Sequence, residues 1–120
     1  MRFLMSKNTK ANLTLVFSIN KKNATLEKAL DSIKRQTDKS FNIIFALSGA
    51  SYADKETLSK FDFSDAVDVQ HIVFSESLGD SYVFNYCLPK IKTKYFYMFD
   101  SNVILNPDFI STINKFPNAL

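Results

Sequence analysis

Leu13-Thr-Leu-Val-Phe17 is a short, nearly continuous apolar run, and Leu26, Ala29, Leu30 and Ile33 follow it at helical spacing. Apolar residues without alternation mark a strand covered on both faces. Asn23 stands where an N-cap belongs, and Glu27, Lys28, Asp31 and Lys34 fall on the other side of the helix. The same alternation continues. Phe41-Asn-Ile-Ile-Phe-Ala-Leu47 reads as a second buried strand ending at Ser48-Gly49, and Asp54 to Phe61 as a short helix. Val67 to Phe74 alternates as an edge strand does, Asp80 to about Leu88 reads as helix with Pro89 near its end, and Tyr95-Phe-Tyr-Met-Phe99 is a fourth strand stopping at Asp100. Asn106-Pro107-Asp108 reads as the start of a last helix, with a cap, a proline at the first position and an acid near the positive end of the dipole.

Strands alternating with helices imply an α/β fold: an open, mostly parallel four-stranded sheet with helices on both faces, Rossmann-like in layout. At 120 residues the chain is expected to be a single domain, with residues 1–11 as a tail. Five glycines and prolines stand where average usage gives about 14, which favours long regular elements over many tight turns. One cysteine, Cys87, forms neither an internal disulfide nor a thiolate cluster and fits a reducing cytoplasm. Met1 to Lys10 carries one short apolar patch, too small for a signal peptide, and no run is long enough for a membrane span. The net charge of +3 suits an anionic ligand or a loose contact with the inner face of a membrane, and falls short of a nucleic-acid footprint.

In open parallel sheets, ligands bind beyond the carboxyl ends of the strands, where strand order reverses. That makes Ser18 to Lys21, Leu47 to Ser51, Ser75 to Asp80 and Asp100 to Asn102 the candidate segments. Both glycines of the chain, Gly49 and Gly79, lie among them. Elsewhere the bland readings prevail. His71 has no second histidine to complete a metal pair, Cys87 reads as a core thiol, and Ser18 and Ser48 lack a nucleophile elbow. The helix from Tyr82 to Leu88 has little polar face, so Phe84 or Tyr86 is expected in an exposed apolar patch that a second copy or a further half-domain covers.

The order of these segments resembles the nucleotide-sugar-binding half of family 2 glycosyltransferases of the GT-A fold. Leu13 to Lys21, Gln36-Thr37 after the first helix, Phe41-Asn-Ile-Ile44, Gly49, Glu76-Ser-Leu-Gly79, Asn85, Tyr95 to Asn102 and Leu105-Asn-Pro-Asp-Phe109 carry the likeness. The resemblance implies a nucleotide-diphosphate-sugar site at Ser18, Asn20, Lys21, Ser48, Gly49, Gly79, Asn85 and Asp100. It also implies Mg²⁺ or Mn²⁺ at Asp100 and Asn102, where the family has its DXD motif. Such an ion neutralises a leaving diphosphate, and hard oxygen ligands suit it. A typical enzyme of the family continues into a half with the acceptor site and catalytic base, so these residues are expected to be its first half.

Several positions depart from the pattern. Leu47-Ser48 replaces an acidic pair, Phe84 an arginine, Cys87 a glycine, and Asn102 the last DXD acid. Those departures favour an alternative, a GT-A-like interaction domain that has lost the donor site. A receiver-like module using Asp100 as phosphoacceptor is a third reading, but Ser18-Ile19-Asn20 lacks the acids a receiver needs. Two glycines cannot form a dinucleotide-binding G-x-G-x-x-G loop.

Overall fold

The computed structural model describes residues 11–20 and 25–115, the Tyr52 side chain excepted. Strands and helices alternate as β1 (Leu13–Asn20), α1 (Leu26–Lys34), β2 (Asn42–Ser48), α2 (Tyr52–Ser59), β3 (Asp68–Phe74), α3 (Asp80–Cys87), β4 (Tyr95–Asp100) and α4 (Phe109–Lys115), with a 3-10 turn at Leu88–Lys90. The four strands form one parallel sheet in the order β3-β2-β1-β4. The expected α/β class therefore holds, and the weakly alternating strand β3 lies at an edge.

The sheet sorts its side chains by parity. Leu13, Leu15, Phe17 and Ile19 of β1 join Ile43, Phe45 and Leu47 of β2 and pack against α1, α2 and α4. Val16, Ile44 and Ala46 point the other way and meet Val83 and Cys87 of α3. Covered on both faces, β1 is buried from Leu13 to Ile19, which is why its sequence shows no polar alternation. Phe17 sits at the centre of the first face. Its ring meets Phe45 edge-on at 6.0 Å and Phe99 at 5.0 Å, and full burial of such a ring contributes about 1.5–3 kcal/mol. Cys87 is a core thiol, and burial pushes its pKa up. His71 lies more exposed than its strand parity suggests, stacked on Phe45 at 5.3 Å.

Helix boundaries differ from the local signals for identifiable reasons. Helix α2 begins two residues before Asp54, because Ser51 and Asp54 form a capping box. The Asp54 N–H donates to Ser51 Oγ at 3.1 Å, and the Ser51 N–H to Asp54 Oδ2 at 3.0 Å. The expected cap Asn23 lies outside the described residues. Thr25 precedes α1, and its hydroxyl donates instead to the Ser101 carbonyl. Helix α4 starts at Phe109 rather than at Pro107. Asn106, Pro107 and Asp108 form a preceding turn, and Gln36 supplies a partner to the first turn of the helix.

Gln36 is the most consequential polar residue of the core. It is buried, and its amide nitrogen donates to the Ser32 and Asn106 carbonyls at 3.1 and 2.6 Å. Its Oε1 accepts the Ile110 N–H at 3.0 Å. Beside it, Ser32 Oγ accepts the Leu105 N–H at 3.0 Å, and the Thr37 N–H donates to the Pro107 carbonyl at 3.0 Å. Helix α1 and its C-terminal turn thus hold the segment that leaves β4. Gln36→Ala leaves the Ile110 N–H and Asn106 carbonyl without these partners inside the core. Removing the amide is expected to destabilise the fold by about 2–4 kcal/mol. Urea denaturation checks this as a lower midpoint at unchanged slope.

Candidate functional site

Connections from β1 through β2 to β3 step along the sheet in one direction, with α1 and α2 on one face. The chain then returns past β2 and β1 to β4, with α3 on the other face. A constant crossover hand requires that change of face, and the reversal leaves a crevice between the carboxyl ends of β1 and β4. Ser18 of β1 is in register with Asp100 of β4 on one side and with Ala46 of β2 on the other. Asn20 is in register with Ser48.

The structure gives the expected residues distinct roles. Ser18 is fully buried, and its hydroxyl donates to Asp80 Oδ1 at 3.0 Å. That contact ties the first residue of α3 to the centre of the sheet. Asp80 closes the candidate segment Ser75 to Asp80, although the family resemblance does not single it out as a site residue. Its signal in the sequence is its position directly after Gly79, at a helix start where a carboxylate is favoured. Asp100 is half-buried, and its Oδ1 accepts the Asn102 N–H at 2.9 Å. This short loop turns the chain out of β4 and leaves Asn102 exposed. Thr25 holds the same turn from α1 through the buried Ser101.

Ser48 is a latch. Fully buried, its Oγ accepts the Leu78 N–H at 2.6 Å and lies 3.3 and 3.2 Å from the Glu76 and Leu78 carbonyls, its acceptors. A single hydroxyl thereby fixes the loop leading into α3. Next to it, Gly49 has φ +70°, and a Cβ there would fall 2.7 Å from Ser77 Cβ. Gly79 has ordinary extended geometry and open space around it. Asn85 is exposed on α3, away from the face carrying Val83 and Cys87. Lys21 lies outside the described residues.

The donors fit a divalent cation only in part. Asp100 and Asn102 offer hard oxygens, yet among the described residues no three His, Cys, Asp or Glu side chains converge as a metal cage. One or two protein carboxylates completed by substrate phosphates is the usual arrangement for Mg²⁺. Away from the crevice, a cavity of about 510 Å³ opens between α2 and β3, lined mainly by apolar side chains including Leu58, Phe63 and Val69.

Comparison with known proteins identifies the fold. The sequence pattern of glycosyl transferase family 2 matches residues 15–116. The chain belongs to that family. The receiver-like alternative falls with this assignment. No curated protein matches the chain. Among solved structures it is similar to S. aureus TarS, with a TM-score of 0.74 at 13% identity over 89% of this chain and 19% of that one. The TarS 1-349 structure in complex with UDP gives 0.76 at 12% identity over 89% of this chain and 32% of that one. The Pyrobaculum calidifontis mannosyltransferase PcManGT, in complex with GDP-Man and Mn²⁺, gives 0.64 at 13% over 78% of this chain and 28% of that one. The family 2 chain thus spans about a third or less of the length of these structures.

The two glycines separate by substitution. Gly49→Ala is expected to cost about 2 kcal/mol or more, from left-handed backbone and the clash with Ser77. Gly79→Ala should cost only about 0.5 kcal/mol, the preference of an N-cap for glycine over alanine. Equal losses for both in thermal or urea unfolding would contradict this assignment.

Proposed function

We propose that the crevice between β1 and β4 receives a nucleotide-diphosphate sugar together with Mg²⁺ or Mn²⁺. In the complete enzyme, the sugar would pass with inversion to a saccharide or lipid-linked acceptor. The observation that carries this reading is the grouping of Asp80 and Asp100 around the buried Ser18 at the switch point of the sheet. The side chains joined there are acidic, so they repel a bare diphosphate and favour one carrying a divalent ion. When bound, that ion neutralises the charge that develops on the leaving diphosphate.

On this reading Asp100 and Asn102 face the cation and ribose region, and Asn20 with Lys21 borders the nucleoside. Ser48, Gly49 and Gly79 shape the loop walls, and Asn85 stands on the helix beyond them. The UDP held by the TarS structure and the GDP-Man with Mn²⁺ held by PcManGT support the ligand class. Leu47 favours a second reading. Its side chain is buried in the core, where the resemblance leads one to expect a base-reading acid, so the domain could equally serve as a scaffold without a donor site.

Calorimetric titration with UDP, GDP and CDP, with and without Mn²⁺, separates the two. The donor-site reading predicts binding that requires the metal. It also predicts that Asp100→Ala weakens binding about tenfold to a hundredfold, as loss of a charge-assisted contact does. Absence of binding to all three nucleotides at millimolar concentration would favour the scaffold.

A further inference from the structure

Beyond the first helix, one long stretch of the chain carries positive charge with no acid to balance it. From Ser81 to Phe99 there is no Asp or Glu, and Lys90, Lys92 and Lys94 supply three positive charges. The net charge of the whole chain is +3, so the remaining residues balance to zero. The same stretch carries large apolar groups facing outward. Tyr82, Tyr86 and Leu88 are 59%, 46% and 44% exposed. The two tyrosines are four residues apart on α3, and both meet Phe74 edge-on, at 6.5 and 5.1 Å. The Lys90 ammonium lies 5.3 Å from the Tyr86 ring centre, which joins this lysine to the aromatic pair, while Lys94 lies over the Tyr95 ring at 5.5 Å at the start of β4. The basic end of this surface lies at the amino ends of the strands. Thr93 Oγ1 hydrogen-bonds Thr14 Oγ1 at 2.6 Å, and the Tyr95 N–H donates to the Asn12 carbonyl at 2.9 Å.

We infer that this surface, formed by Tyr82, Tyr86, Leu88, Lys90, Lys92 and Lys94, docks on an anionic lipid bilayer. Tyrosine rings with one apolar and one polar end suit the headgroup layer, and lysines free of neighbouring acids meet the negative surface potential. The charge chooses the occupant. A second copy would bring its own three lysines against these, whereas anionic headgroups complement them. Among the described residues no helix is long and apolar enough to cross a membrane, so the attachment is peripheral. Because the lysines lie at the opposite end of the sheet from the β1–β4 crevice, the inference is independent of the donor-site reading.

Co-sedimentation of the 120-residue chain with phosphatidylcholine vesicles, with and without phosphatidylserine, tests it. Binding is expected to the anionic vesicles alone and to fall as salt rises. The triple variant Lys90→Gln, Lys92→Gln, Lys94→Gln removes three charges while keeping polar side chains of similar length, and should weaken partitioning about tenfold or more. Tyr82→Ser with Tyr86→Ser should weaken it as well, with circular dichroism confirming the folded state. No binding to anionic vesicles, or binding undiminished in the lysine variant, overturns the proposal. So does a lipid-independent dimer that the tyrosine variant abolishes, which would assign the face to a second copy.

Discussion

The buried amide of Gln36 is the interaction on which the geometry of the carboxyl edge depends. A primary amide in the core is costly unless both of its ends are satisfied, and here they are, by backbone groups on either side of the turn before α4. The consequence is mechanical. β4 could leave the sheet in many directions, yet the segment from Ser101 to Ile110 is held against α1 by Thr25, Ser32, Gln36 and Thr37. Asp100 lies at the head of that segment. Its position beside Ser18 is set by strand register on one side and by these hydrogen bonds on the other.

Two buried serines do comparable work at the remaining corners. Ser18 orients Asp80, and Ser48 holds the loop from Ser75 to Gly79. Neither hydroxyl is exposed, so neither acts by touching solvent or a ligand in this state. What they present is a rim with carboxylates on two sides. That rim distinguishes the chain from a simple anion pocket at a helix N-terminus, because Asp80 occupies the end of α3 that a bare phosphate would otherwise favour. On the proposed reading, a diphosphate would enter such a rim only with its charge already partly neutralised. Among the described residues, the carboxyl end of the sheet thus carries Asp80 and Asp100, and the amino end Lys90, Lys92 and Lys94.

Much of this was legible in the sequence. The unbroken apolar run of β1 and β2 marks strands buried on both faces, and the weaker alternation of β3 marks an edge. Asp100 follows from its place after an apolar strand, and the exposed Tyr86 from a helix with too little polar face. The remainder was illegible for a common reason. Gln36 acts on residues about seventy positions away, Ser18 on one sixty-two away and Ser48 on ones about thirty away. Periodicity describes neighbours within a few turns, and no local pattern records which distant backbone group a side chain will meet. The start of α4 moved for the same cause, since a remote amide satisfies its first turn. Gln36 entered the sequence reading only as part of a family likeness. The structure supplies the physical reason for a glutamine there.

The central claim is that the reversal of strand order between β1 and β4 makes the ligand site. The most direct measurement of it is amide NMR of the chain titrated with UDP, GDP or CDP in Mg²⁺. The account predicts that the largest shifts fall on Ser18 to Asn20, Gly49, Gly79-Asp80 and Asp100 to Asn102, and that they vanish when the metal is chelated. Shifts confined to the cavity between α2 and β3, at Leu58, Phe63 and Val69, would contradict it, because they would place the ligand away from the switch point.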